Sequence, residues 1–103
     1  MRKVIDGKRY DTDSATKVMG WDNGAFAGDF HQAAEALYRT PRGRWFLHGE
    51  GGPMSRWGRP VAGGGRGGGE DILPLSDHEA RVWLEERNAD PDLIAQYFDI
   101  EEA

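Results

Sequence analysis

His48 and Glu50 are the residues of this 103-residue chain whose types and spacing come closest to a catalytic pair. They stand in the stretch RWFLHGEGG, and residues two apart in an extended strand project from the same face. An imidazole and a carboxylate side by side could share general acid–base catalysis. The surrounding glycines favour a structural interpretation, in which the strand bends or ends there and Glu50 pairs with a nearby arginine. We therefore expect no catalytic residues and a protein that is not an enzyme.

The remaining side chains offer no recognisable site for a metal ion or a cofactor. The chain has no cysteine, and none of its histidines, His31, His48 and His78, has a partner at the spacing of a zinc-ligand pair. The glycine-rich run GGGRGGG lacks the Lys-Ser or Lys-Thr that ends a phosphate-binding loop. The sequence therefore predicts no metal ion and no cofactor.

Charge is distributed very unevenly along the chain, although the net charge is only −5. Residues 39–69 hold six arginines against Glu50 alone, which gives +5. Residues 70–103 hold eleven acids against Arg81 and Arg87, which gives −9. Segregation of this size creates surface potentials that attract partners of opposite charge.

Two kinds of binding surface follow from this division. An acidic C-terminal face would suit a basic groove on a partner protein. The residues that we expect to form this face are Glu79, Glu85, Glu86, Asp90 and Asp92. A second candidate contact surface consists of Arg56, Trp57 and Arg59. The segment 38–59 as a whole mixes arginines with aromatic residues, a combination that contacts phosphates and stacks on bases. The basic segment could equally fold against the acidic helices of its own chain.

The elements that must position these residues begin with strands. The run TPRG at residues 40–43 has proline and glycine at the second and fourth positions of a β-turn, and the aromatic run RWFLHG follows it. This predicts an antiparallel hairpin whose first strand covers about residues 33–40. KVIDGKRYD predicts a strand, a turn and a returning strand. EDILPL predicts a short strand that either lies at a sheet edge or ends at Pro74. The glycines and arginines of residues 58–69 predict a flexible loop.

Two helices are predicted in the C-terminal part. Ser76 and Glu79 have the spacing of a capping box, and the apolar residues after them repeat with helical period. Asp90 followed by Pro91 predicts the cap and the first position of a second helix.

These elements predict one α+β domain over residues 1–103, with a β-rich body (1–75) and a helical part (76–99). We expect a small antiparallel β-sheet of about three to five strands with a central hairpin, and two short C-terminal helices packed on it. No run approaches the ~20 apolar residues of a membrane span. A soluble cytoplasmic protein without membrane contact is therefore expected.

Six stretches cover most of residues 7–86 in order: GKRYDTDSAT, WDNG, GDF, LYRTPRG, WFLHGEGGPMSR and ILPLSDHEARVWLEE. In these stretches the chain resembles a family of small, largely uncharacterised bacterial proteins carried on plasmids, conjugative elements and prophages. It departs from them at residues 58–69, where relatives tend to have polar and aromatic residues. The resemblance implies a β-rich body with a C-terminal helical part, and it implies no enzyme chemistry.

Small acidic proteins of mobile elements often block a host defence complex, and anti-CRISPR proteins are the leading example. The resemblance thus leads us to expect a non-enzymatic inhibitor, with an anti-CRISPR protein as the leading hypothesis. It would bind a host CRISPR-Cas effector complex through its acidic surface and block access to DNA. The alternative is a small nucleic-acid-binding or regulatory protein that uses segment 38–59.

Overall fold

A four-stranded antiparallel sheet forms the centre of the computed structural model, which describes all 103 residues. In chain order the elements are β1 (Arg2–Ile5), β2 (Lys8–Asp11), β3 (Thr16–Asp22), β4 (Ala33–Arg39), β5 (Trp45–Gly51), β6 (Arg59–Pro60), β7 (Arg66–Gly67), β8 (Gly69–Leu75), α1 (Asp77–Glu86) and α2 (Pro91–Ala95). The central sheet has the order β3-β4-β5-β8, and β1-β2 and β6-β7 form two smaller hairpins. The predicted α+β fold, a small antiparallel sheet with two short C-terminal helices, is confirmed.

The predicted hairpin lies at the centre of this sheet, where β4 and β5 pair along their whole length. The Gly43 N–H donates a hydrogen bond to the Thr40 carbonyl oxygen at 2.9 Å. Gly43 has a φ of +83°, a conformation that glycine adopts without strain. The turn at residues 40–43 therefore fixes the register that places Leu37 opposite Leu47, and both leucines are buried.

The alternation of side chains along the strands gives the sheet two differently covered faces. The helices cover one face, and the largest core residues between them and the sheet are Leu37, Trp45, Leu47, Trp57, Trp83 and Leu84. The β1–β2 hairpin covers part of the other face, over a second cluster of Tyr10, Phe46 and Ile72. The central sheet thus separates a helical side from a hairpin side.

Both predicted helix starts are confirmed. The Ser76 hydroxyl accepts a hydrogen bond from the Glu79 N–H at 3.1 Å, and the Glu79 carboxylate accepts one from the Ser76 N–H at 2.9 Å. The Asp90 carboxylate accepts a hydrogen bond from the Asp92 N–H at 2.8 Å and caps α2. These bonds satisfy backbone donors that have no partner inside a helix.

The helical part is shorter than the predicted span to residue 99, because α2 ends at Ala95. Tyr97 and Phe98 follow it outside the helix and still pack on Trp45, each with 5.3 Å between ring centroids. The N–H groups of Tyr97 and Phe98 donate to the Ile94 carbonyl oxygen, so a turn that continues α2 places both rings on the sheet.

Residues 58–69 correct the prediction of a flexible loop without packing partners. The segment contains the β6–β7 hairpin, which turns through Gly63–Gly65, all three with positive φ. The Arg66 guanidinium donates hydrogen bonds to the carbonyl oxygens of Pro53 and Gly58, both at 2.9 Å. The glycines thus form a tight turn, and the arginine ties this hairpin to the preceding chain.

One carboxylate links the three sheets. Asp71 of β8 accepts a hydrogen bond from Lys3 Nζ of β1 at 2.6 Å and also pairs with Arg59 of β6. Burial alone would raise the pKa of Asp71, but the Lys3 hydrogen bond, the Ile72 N–H and the charges of Lys3 and Arg59 together lower it below its usual value. The ionised form of Asp71 therefore stabilises the fold.

We expect Asp71→Asn to lower the free energy of unfolding at neutral pH and to flatten its pH dependence on the acid side. The folded-state pKa lies below the ordinary value of 3.8, so this stabilisation is present above that value and is lost as the pH falls through the folded-state pKa. Urea unfolding at a series of pH values measures it. The matched control is Asp99→Asn, an exposed residue without an ion pair. Parallel pH profiles for parent and Asp71→Asn would contradict the assignment.

Candidate functional site

The five acidic residues selected from the sequence lie on the helical side of the molecule. All five are exposed, and we call them the acidic helical layer: Glu79, Glu85, Glu86, Asp90 and Asp92. The opposite side of α1 is buried against the sheet through Ala80, Trp83 and Leu84. Because one side of α1 is held in the core, the carboxylates of the layer are directed to solvent.

Two members of the layer also cap helices. The hydrogen bond from the Ser76 backbone N–H lowers the pKa of the exposed Glu79 carboxyl below its usual value. Asp90 holds the first turn of α2 through the Asp92 N–H. Changes at Glu79 or Asp90 would therefore disturb the helices as well as the surface charge.

The other three members, Glu85, Glu86 and Asp92, make only weak ion pairs or none. Glu85 lies 3.9 Å from Arg81, and Glu86 lies 3.5 Å from Arg87, in surface pairs of the kind that contribute at most about 1 kcal/mol. Asp92 makes no ion pair with the chain. These carboxylates are thus available to a cationic partner.

A buried carboxylate, which the sequence analysis missed, lies beneath this layer. Glu35 of β4 is 4% exposed and accepts hydrogen bonds from Trp57 Nε1 at 2.9 Å, Trp83 Nε1 at 2.8 Å and Arg87 Nη2 at 3.1 Å. We call these four residues the Glu35 cluster. A signal was present in the sequence, because strand alternation puts Glu35 on the same inward face as Ala33 and Leu37.

The cluster holds its cation between two aromatic rings. The guanidinium carbon of Arg87 lies 4.8 Å from the ring centroid of Trp21 and 4.5 Å from that of Trp83. Arg56 approaches the same carboxylate at 3.7 Å from the solvent side. The negative charge of Glu35 is therefore compensated by hydrogen bonds and by nearby cations, as a buried charge requires.

The position of Trp57 explains why residue 49, the first glycine of the stretch HGEGG, has no side chain. Gly49 lies opposite Glu35 in the β4–β5 register, and the Trp57 ring lies directly over it. A Cβ atom at residue 49 would lie 2.0 Å from Trp57 Cε2. The glycine is therefore required so that Trp57 can reach Glu35, and β5 continues through this point to Gly51.

The second predicted contact surface needs correction, because one of its three members is in the core. Trp57 is 4% exposed and donates its indole N–H to Glu35, so it cannot present its ring to a partner. Arg56 and Arg59 keep about half of their side-chain surface exposed, although Arg56 faces Glu35 and Arg59 pairs with Asp71. The surface is thus reduced to two partly engaged arginines.

The arginines of the basic segment are mostly used within the chain. Four of the six contact aromatic rings, carboxylates or backbone carbonyls: Arg39, Arg56, Arg59 and Arg66. None of these contacts reaches the acidic helical layer. Arg42 and Arg44 have no acidic partner and are exposed. If segment 38–59 binds nucleic acid, Arg42 and Arg44 are therefore the residues of the segment that are free to contact phosphates.

His48 and Glu50 lie on the hairpin side of the sheet. His48 Nε2 is 3.5 Å from a carboxylate oxygen of Glu70, whereas the exposed Glu50 makes no ion pair. The expected pairing of Glu50 with an arginine is therefore absent. Ser55, the one hydroxyl nearby in sequence, donates to the Gly52 carbonyl oxygen at 2.8 Å. No group of three or more His, Cys, Asp or Glu side chains is arranged to hold a metal ion.

The chain matches no protein-family model, and comparisons with curated proteins and with solved structures also give no match. The resemblance to mobile-element proteins thus rests on the six sequence stretches alone. Neither helix is long and apolar enough to cross a membrane.

We expect Glu35→Gln to lower the free energy of unfolding by about 1–3 kcal/mol, because the half-buried Arg87 loses its shorter ion pair and the two buried indole N–H groups lose a charged acceptor. Denaturant unfolding followed by tryptophan fluorescence measures this loss. Glu50→Gln, the same change at an exposed residue of the next strand, should have little effect. Equal stabilities for the two variants would show that the Glu35 cluster does not hold the fold together.

Gly49→Ala should destabilise the fold by about 1–3 kcal/mol, because the added methyl group overlaps the Trp57 ring. Gly20→Ala in β3 is the matched control, since its nearest neighbour is the flexible end of the Lys17 side chain. In a Trp57→Leu background, Gly49→Ala should lower the free energy of unfolding by less than it does in the parent, because the smaller side chain leaves room for the methyl group. If the effects of the two changes on the free energy of unfolding are strictly additive, residue 49 and Trp57 are not in contact.

Proposed function

We propose that this protein is a non-enzymatic inhibitor that docks its acidic helical layer on the basic groove of a host protein complex. In its most specific form, the protein is an anti-CRISPR protein of the bacterial cytoplasm that occupies the nucleic-acid channel of a CRISPR-Cas effector. The observation that carries the proposal is that all five carboxylates are exposed on helices whose other side is buried.

The charge of this side is large for its size. Residues 76–102 contain nine acidic residues against Arg81 and Arg87. CRISPR effectors hold their guide–target duplex in a positively charged channel that recognises the backbone and not the sequence. A protein surface that carries carboxylates in place of phosphates can compete for such a channel, and complementary charge also speeds its association.

The helical side also has a cleft of about 270 Å³ between α1 and the sheet. Two carboxylates, Glu79 and Glu86, and two guanidinium groups, Arg56 and Arg87, line it together with apolar residues. Because its charges are balanced, the cleft is not the contact that we propose, and the exposed carboxylates outside it carry the attraction to a basic groove.

The Glu35 cluster supports the proposal by holding α1 in one orientation. Trp83 of α1 and Arg87, its C-cap residue, donate hydrogen bonds to the same carboxylate on β4. A layer that is fixed before binding loses less conformational entropy when the partner arrives. The resemblance to mobile-element proteins is what directs the proposal toward a defence complex of the host.

The double charge reversal Glu85→Lys with Glu86→Lys tests the proposal, because neither residue caps a helix. We expect binding to a purified CRISPR effector to weaken at least about tenfold, and inhibition of interference to be abolished, since like charges now face the groove. Pull-down and a plasmid-interference assay are the measurements. Thermal unfolding checks that the variant is folded.

The matched control is Glu50→Lys with Glu70→Lys, which changes the net charge equally on the hairpin side of the sheet. It should leave both binding and inhibition close to the parent. Equal weakening in the two variants would assign the effect to net charge and reject the acidic helical layer as the contact. Unchanged inhibition after reversal of Glu85 and Glu86 would also reject it.

A further inference from the structure

A cleft with an unusual charge lies on the hairpin side of the molecule, between the β1–β2 turn and the β4–β5 turn. Its volume is about 430 Å³. The polar residues that line it come from both turns and from β2: Lys8, Arg9, Tyr10, Thr40, Arg42 and Arg44. We call the four cations of this set the basic cleft.

No acidic residue lines the basic cleft. Its four cations are exposed, and none of them forms an ion pair within the chain. This contrasts with Arg56, Arg59 and Arg87, each of which faces a carboxylate. The fold therefore gathers four unpaired positive charges around one concavity in a chain whose net charge is −5.

Such an arrangement is electrostatically unfavourable without a ligand. Like charges around one cleft repel each other, and the contacts of the chain itself do not offset the repulsion. A ligand with several negative charges removes this cost. Arginine is especially suited to phosphate, because its planar guanidinium group donates two parallel hydrogen bonds to phosphate oxygens.

We propose that the basic cleft binds the phosphate backbone of a nucleic acid. A single inorganic phosphate carries at most about two negative charges. A nucleic-acid strand offers one phosphate per nucleotide, so successive phosphates can neutralise cations on both turns. The acidic helical layer does not stand in the way, because it lies on the opposite face of the central sheet from the cleft.

Only part of this site belongs to the basic segment of the sequence. Arg42 and Arg44 come from the β4–β5 turn, near the middle of the β-rich body in sequence, and Lys8 and Arg9 come from β2, near its start. The buried Tyr10, at 6% exposed, packs edge-on against Phe46 and joins the two parts. Since its ring is enclosed, we expect phosphate contacts and no base stacking at this residue. The binding should accordingly show little sequence preference.

Fluorescence anisotropy with a labelled single-stranded oligonucleotide tests the proposal on the full chain. The parent protein should bind at low salt, and its affinity should fall steeply as salt rises, because phosphate contacts release counterions. Arg42→Gln with Arg44→Gln should weaken binding at least about tenfold and reduce the salt slope by about 0.7 for each phosphate that the variant no longer neutralises. Lys8→Gln with Arg9→Gln should have the same effect from the other side of the cleft.

The matched control is Arg2→Gln with Lys17→Gln, two exposed cations outside the cleft whose replacement changes the net charge equally. It should retain the affinity and the salt slope of the parent. Equal weakening in the control would overturn the proposal, as would the absence of binding by the parent at low salt. Calorimetry with inorganic phosphate measures whether the cleft binds free phosphate, and this separates free phosphate from the nucleic-acid backbone as the ligand. Cleft-dependent binding of phosphate without binding of the oligonucleotide would overturn the nucleic-acid assignment.

This proposal does not rest on the acidic helical layer. The charge reversal of Glu85 and Glu86 should leave oligonucleotide binding in place, and the cleft variants should leave binding to an effector protein in place. Failure of one proposal can therefore be distinguished from failure of the other.

Discussion

The buried carboxylate of Glu35 is the interaction on which the rest of the structure depends. It lies on a central strand, and its partners come from the chain after β5 and from α1. Removing a carboxylate from water costs several kcal/mol, and that cost is offset only when every partner is present with good geometry. The cluster therefore stabilises one arrangement of the sheet, the connecting chain and the helix. Any arrangement in which a partner of Glu35 is missing has a higher free energy.

Other features of the chain follow from this requirement. Trp57 can reach Glu35 only across a strand residue without a side chain, and this places glycine at residue 49 in the most apolar strand. Trp83 of α1 and Arg87, the residue that caps the C-terminus of α1, are four residues apart, so both can point toward the same carboxylate while the acidic residues of α1 point away. The stretch that first suggested a catalytic pair is thus explained by packing against a tryptophan. The acidic helical layer is formed by the outer surface of the same helix and by the start of α2.

Local signals made most of the fold predictable from the sequence. Three features of the fold are each specified by a few neighbouring residues, which is why the sequence predicts them. They are the TPRG turn, the Ser76–Glu79 capping box and the Asp90–Pro91 start of α2. In the Glu35 cluster, Trp83 is 48 positions and Arg87 is 52 positions away from Glu35 in the sequence. No local sequence pattern specifies partners at such a distance. Strand alternation could have shown that Glu35 points inward, but not which donors it meets. Trp57 was misassigned for the same reason, since its short segment gave no sign of which side it faces.

Segment charge and surface charge differ in this protein, and the difference decides which groups can meet a partner. Four of the six arginines of the basic segment contact carboxylates, aromatic rings or backbone carbonyls of the chain itself, so only part of the segment's +5 is available to a partner. The unpaired cations of the basic cleft lie on the hairpin side, and the carboxylates of the acidic helical layer lie on the helical side. The central sheet lies between these two surfaces, so a partner docked on one of them leaves the other uncovered.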